Sequence, residues 1–136
     1  MADIYSLNGT GGCEYVTMKI KSGTTLAAGK AVTITGNNEV GFAAESGTPA
    51  SLFGIVSGID GTSGYATIQV AGFAEDIACN ATTNPVLGKF TAVDHEGKIT
   101  AATAAVASSD CTLVGIRGIC TSINTTNNVA TILRLS

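Results

Sequence analysis

Two stretches of this sequence repeat one another's order of residues, and that limits the possible folds more than any other feature. Gly29-Lys30 returns as Gly88-Lys89, Leu52-Phe-Gly54-Ile55 as Leu113-Val-Gly115-Ile116, Gly58-Ile59 as Gly118-Ile119, and Ala66-Thr-Ile68 as Ala130-Thr-Ile132. The offsets are 59, 61, 60 and 64 residues. A spacing that slips only in turn regions is what a repeated supersecondary unit shows. It places two similar units at about 24–75 and 83–136 of a 136-residue chain, a length that suits a single domain, 13–136, preceded by a short arm.

The units read as strands. Tyr15, Thr17, Lys19 and Lys21 alternate with Val16, Met18 and Ile20, the period of two of a half-buried strand over Cys13–Lys21. Gly29 to Thr35 and Glu39 to Ala44 read as strands around the turn Gly36-Asn-Asn38, whose residues accept the positive φ that hairpin turns need. Pro49 marks a loop, Leu52–Ile59 is β-rich, Asp60-Gly-Thr-Ser-Gly64 is a turn, and Tyr65–Ala71 alternates again. In the second half Asp94-His-Glu-Gly97 supplies the turn before Lys98-Ile-Thr100. The Ala-rich stretch Thr100–Ala107 is read as strand then loop, because its aligned counterpart Gly41–Ala44 is strand. Short strands with Gly/Asn turns predict an all-β fold, a compact sandwich or barrel of two similar units with little or no helix.

Only 12% of the residues are charged, against about 25% in an average soluble domain, and 45% are hydrophobic. The polar skin must come from Thr, Ser, Asn and Gly, which suits faces packed on neighbours. A net charge of −3 and seven scattered Lys and Arg give no phosphate-binding patch, so no nucleic-acid partner is expected. No apolar run approaches the roughly 20 residues of a membrane-spanning helix. The N-terminus lacks the cationic and apolar regions of a signal peptide, and reduced, partly buried thiols are expected for Cys13, Cys79, Cys111 and Cys120.

Chemistry is hard to assemble from these residues. No CxxC pair or zinc-finger spacing occurs, so no metal is expected, and no phosphate-binding glycine motif suggests a nucleotide. The single histidine, His95, lies in a predicted exposed turn between Asp94 and Glu96, a poor place to hold a nucleophile's base. Glu75-Asp76, the adjacent acid pair, is expected on opposite faces of a strand near its end. No catalytic residue and no cofactor are assigned, and the chain is not expected to be an enzyme.

The candidate contacts are apolar. Residues 1–12, rich in glycine near their end, read as a mobile arm made adhesive by Ile4, Tyr5 and Leu7. Tyr15 and Tyr65 either cover the rim of the core or anchor an interface, while most of the phenylalanines are expected in the core.

Over residues 13–136 the chain resembles a family of tailed-phage capsid decoration (cement) proteins, often mislabelled as phage recombinases. The resemblance is carried by Gly29-Lys30 before a β segment, Leu52-Phe-Gly-Ile-Val56, Ala66-Thr-Ile-Gln-Val-Ala-Gly-Phe-Ala-Glu75, Asp94-His-Glu-Gly-Lys98, Leu113-Val-Gly-Ile116 and Val129-Ala-Thr-Ile-Leu-Arg-Leu135. It implies a non-enzymatic protein, made in the bacterial host's cytoplasm and placed on the outer surface of the virion. There it would bind the major capsid protein as a homotrimer and bridge neighbouring subunits. The alternative is a sugar- or cell-surface-binding β module of a virion fibre, against which the absence of tryptophan counts.

Overall fold

The computed structural model describes residues 13–102 and 118–134. Ten strands occur in them and no helix: β1 (Glu14–Ile20), β2 (Ala31–Gly36), β3 (Glu39–Gly41), β4 (Ala50–Ser51), β5 (Gly54–Asp60), β6 (Tyr65–Ala78), β7 (Thr91–Val93), β8 (Ile99–Ala101), β9 (Gly118–Asn124) and β10 (Val129–Arg134). The protein is all-β. One sheet has seven strands in the order β1-β3-β2-β5-β6-β10-β9, and a smaller one has the order β4-β7-β8.

A further pairing, β1 with β6, closes β1, β3, β2, β5 and β6 into a circuit of five. Going round an odd circuit, strand directions cannot alternate at every step, so one pair must be parallel. That pair is β1–β3, with Ile20 opposite Val40; the other four are antiparallel. The second half repeats the arrangement. The end of β6, β8, β7, β9 and β10 form another circuit, and its parallel contact, Cys79 with Ile99, lies 59 residues beyond Ile20 and Val40.

The two units share a set of equivalent hydrogen bonds. Gly29 N donates to Val56 O and Val56 N to Lys30 O, both at 2.8 Å; Gly88 N donates to Cys120 O at 2.8 Å and Cys120 N to Lys89 O at 3.1 Å. Ile20 N reaches Gly64 O at 2.9 Å, and Cys79 N reaches Asn128 O at 2.8 Å. In one hairpin turn Asp60 Oδ1 accepts the amides of Thr62 and Ser63; in the other Asn124 Oδ1 accepts those of Thr126 and Asn127. Each side chain folds the chain back through the same Asx turn. Both hairpins also shift register by one residue three pairs from the turn, after Gly58 opposite Thr67 and after Ser122 opposite Thr131.

These equivalences correct three expectations. The repeat does not begin near residue 24. The first unit starts at β1, and the counterpart of β1 is the second half of β6, so the units divide that strand near Gly72. Gly118 is the counterpart of Gly54, not of Gly58, because the β5–β6 and β9–β10 hairpins match throughout at an offset of 64. Finally, Glu75-Asp76 does not end a strand. The two residues jointly face Thr131 in a bulge, with Asp76 at φ 56°, and both are exposed while β6 continues to Ala78.

The matched glycines have matched reasons. A Cβ on Gly54 would lie 2.5 Å from Ile68 Cγ2 and from Gln69 O, and one on Gly118 would meet Leu52 and Ile132, the counterpart of Ile68. Both positions let the following strand's isoleucine approach the backbone. Val32, Val40, Val56, Ala66 and Ile68 form the core of the first unit, with Met18 and Ile20 against it. In the second, Cys79 and Cys120 stand where the first has Ile20 and Val56, clustering with Ala130. Ala31, Leu52 and Ile55 of the first unit pack with Ala74, Ile77, Val93, Ile99 and Ile132 of the second, so the units share a core.

Candidate interaction surfaces

The antiparallel register of β1 and β6 sets Tyr15 opposite Gln69, Thr17 opposite Thr67 and Lys19 opposite Tyr65. Residues paired in this way project from the same face, so Tyr15 and Tyr65 share an outer face, four residues or about 13 Å apart along the strands. Both rings are about half exposed. Between them lie threonines and Lys19, a face with little charge to desolvate on contact. Gln69 Nε2 donates to Ala71 O at 3.1 Å and Phe73 O at 2.8 Å, which holds the adjoining bend of β6. Ile4, Tyr5 and Leu7 lie outside the described residues.

Other exposed apolar side chains escaped the sequence reading: Val16, Ile34, Ile59, Phe73, Val86 and Leu87. Phe73 is thus not a core residue, whereas Phe42 and Phe53, partly buried, pack against the core of the first unit, and Phe90 is partly buried. Phe73 is the counterpart of Tyr15, facing Leu133 as Tyr15 faces Gln69. Its aromatic character was the available signal, but the repeat has to be aligned through β6 before the match appears.

The buried carboxylate of the β7–β8 turn is occupied in structural bonds. Asp94 is buried; its Oδ1 accepts the amides of Glu96 and Lys98, both at 2.8 Å, and its Oδ2 accepts Asn80 Nδ2 at 2.9 Å. Burial pushes this carboxyl up, but the bonds from Asn80, Lys98 and Glu96, with His95 nearby, outweigh it and hold the group below the usual carboxylate range. His95 is exposed beside it, on a hollow of about 200 Å³ also lined by Ser46, Thr48, Asn80, Thr83 and Thr100. The thiols of Cys79 and Cys120 are free, buried, and donate to the carbonyls of Ile77 and Ser122, both at 3.6 Å. Burial, then the neighbouring Cys120, push Cys79 up to about 11. Cys13 is free and exposed, and Cys111 lies outside the described residues. Among the described residues no group of three or more His, Cys, Asp or Glu side chains is placed to hold a metal ion, and no helix is long and apolar enough to cross a membrane. What the geometry offers is surface: an outer face on β1–β6 that carries Tyr15 and Tyr65, and further exposed apolar side chains such as Ile34, Val86 and Leu87. No protein-family model matches the chain, and no curated protein matches it either.

Proposed function

We propose that this chain is a capsid decoration protein that binds the major capsid protein on the outside of a tailed-phage head, as a homotrimer, and bridges neighbouring subunits. The observation that carries the reading is the β1–β6 outer face, where Tyr15 and Tyr65 stand half exposed on one surface with little charge between them. Aromatic side chains present much contact area at low entropic cost and recur as anchors of protein interfaces. The family resemblance over residues 13–136 and the 12% charged composition support the same reading. Copies packed closely on a shell would otherwise accumulate repulsion. Contacts that are weak singly suffice when one assembly engages several subunits, because the later contacts are intramolecular.

The test is co-sedimentation of the purified protein with tailed-phage heads assembled without it, beside a glycan panel. Binding to heads is expected, weakened at least tenfold by Tyr15→Ala combined with Tyr65→Ala while the melting temperature is kept. Binding to glycans and not to heads would overturn the reading in favour of a fibre module.

A further inference from the structure

The contact between the two units is one-sided, and among the described residues it leaves two matching faces unfilled. In the first unit Lys30, Ala31, Phe42, Ala43, Leu52 and Ile55 form a projecting face. Ala31 N donates to Gly97 O at 2.8 Å, Ala43 N to Asp94 O at 3.2 Å and Lys30 Nζ to Glu96 O at 3.2 Å. Ala31, Leu52 and Ile55 enter the apolar cluster of the second unit beside Val93 and Ala74. The receiving face is therefore the turn between β7 and β8 together with Val93 and Ala74.

The first unit has its own receiving face, read off by subtracting the repeat. Val93 corresponds to Ile34, because each sits opposite the equivalent residue of the next strand, Ile99 and Val40. Ala74 corresponds to Val16, which faces Ile68 as Ala74 faces Ile132. Val93 and Ala74 are 0% and 6% exposed, whereas Ile34 and Val16 are 48% and 38% exposed. The second unit likewise has its own projecting face. Lys89, Phe90, Ala101 and Ala102 are the counterparts of Lys30, Ala31, Phe42 and Ala43, and with Val86 they line a shallow hollow of about 210 Å³.

We propose that these two faces meet between copies of this chain: the Phe90 face of one copy packs on the β2–β3 turn and Ile34 of the next, as the first unit packs on the second within one chain. This deepens the self-association in the reading above, and its basis is the internal repeat. One residue pair at the contact changes sides between the two settings. Within the chain, large Phe42 lies on Gly97, where an added Cβ would come within 2.5 Å of the ring. Between copies, small Ala101 would face Asn38, which shares the positive φ of Gly97. The smaller side chain of the pair thus lies on the projecting face instead of the receiving one. The contact is heterologous, joining different surfaces of the two copies, so it propagates until the rotation closes a ring. A closed trimer would present six units around its axis.

The test is sedimentation velocity on the full chain and on two variants at exposed positions, Ile34→Glu in the receiving face and Val86→Glu in the projecting face. Wild type is expected as a closed assembly, and each variant alone as a folded monomer that melts cooperatively, at or below the wild-type temperature because the assembly's stabilisation is lost. Mixed in equal amounts, the variants should give a species of twofold mass that grows no further, because each supplies the face the other lacks. Lys89→Glu is a second projecting-face variant should Val86→Glu fail to fold. A monomeric wild type, variants that assemble like wild type, or a mixture that stays monomeric would each overturn the proposal. So would a monomer whose Ile34 becomes accessible only after residues 2–12 are removed, since the chain's own N-terminal segment would then be the occupant. A monomer that still binds heads would leave the decoration reading standing, and an assembly that ignores heads would do the reverse.

Discussion

Ile34 in the first unit holds the position that Val93 holds in the second, yet Ile34 is half exposed and Val93 is fully buried. The same strand position meets different surroundings only because the first unit covers the second and nothing in the described chain covers the first in the same way. The two side chains should therefore respond differently to truncation. Val93→Ala is expected to cost about 1.5–3 kcal/mol from lost methyl burial and the space left behind. Ile34→Ala in a monomeric background should cost under about 0.5 kcal/mol, as for exposed sites. Urea denaturation measures both, and equal costs would contradict the assignment of the two faces.

Gly54 and Gly118 are counterparts with unequal tolerance. A methyl at Gly54 would meet the backbone oxygen of Gln69, which no rotamer change can move, whereas at Gly118 the nearest atom is the end of the Leu52 side chain. Gly54→Ala is expected to destabilise by about 3 kcal/mol or more and Gly118→Ala by about 1–2 kcal/mol, the range of overpacked cores. Denaturant midpoints read the order, and a larger effect at Gly118 would contradict it.

The buried cysteines act as apolar side chains, since they replace Ile20 and Val56 of the other unit. Cys120→Val should change stability by less than about 1.5 kcal/mol. The Cys79 thiol, raised to about 11 in the folded chain, keeps its proton where the unfolded chain has already lost it. The unfolded state thus binds fewer protons above its own thiol range, and stability falls as pH rises from about 8.5 toward 11. Alkylation at pH 8 followed by site-resolved mass spectrometry should modify exposed Cys13 quickly and Cys79 and Cys120 only on unfolding. Rapid native labelling of Cys79 would refute its burial.

Asp94 gives the opposite dependence on pH. Its folded carboxyl is held below the usual range, so its contribution is present above the unfolded value near 4 and is lost as pH falls through the folded one. Asp94→Asn removes a charged acceptor from the amides of Glu96 and Lys98 and should cost about 1–3 kcal/mol at pH 7. The gap from wild type should narrow toward pH 3; a gap independent of pH would show that the carboxylate is not what holds the turn.

Much of this was legible in the sequence, and the limits are physical. The alternation around Val16, Met18 and Ile20 gave β1, and glycine, Asn and Asp placed the turns after β2, β5 and β7. The repeat showed where backbone geometry fixes the residue type, as at Gly29-Lys30 and Gly88-Lys89. It was hidden where only burial is shared. The segment 73–79 has no residue pattern in common with 15–20, and the Glu75-Asp76 bulge breaks its alternation. Tyr15 and Tyr65 could be suspected as contacts from their chemistry, and their shared face follows from the β1–β6 register. Ile34 could not be found, because alternation along β2 reads it as an inner residue; its exposure depends on what the neighbouring unit does not reach.

The central claim is that one unit recurs and that its contact recurs between copies. It is tested most directly by crosslinking a chain carrying Ile34→Cys and Lys89→Cys, with Cys13→Ser and Cys111→Ser, using a short bismaleimide. The account predicts links between chains that appear on denaturing gels as dimers and higher species, and only when both new cysteines are present. Links formed equally well by the Ile34→Cys chain alone would mean that copies meet through one shared face, and would contradict it.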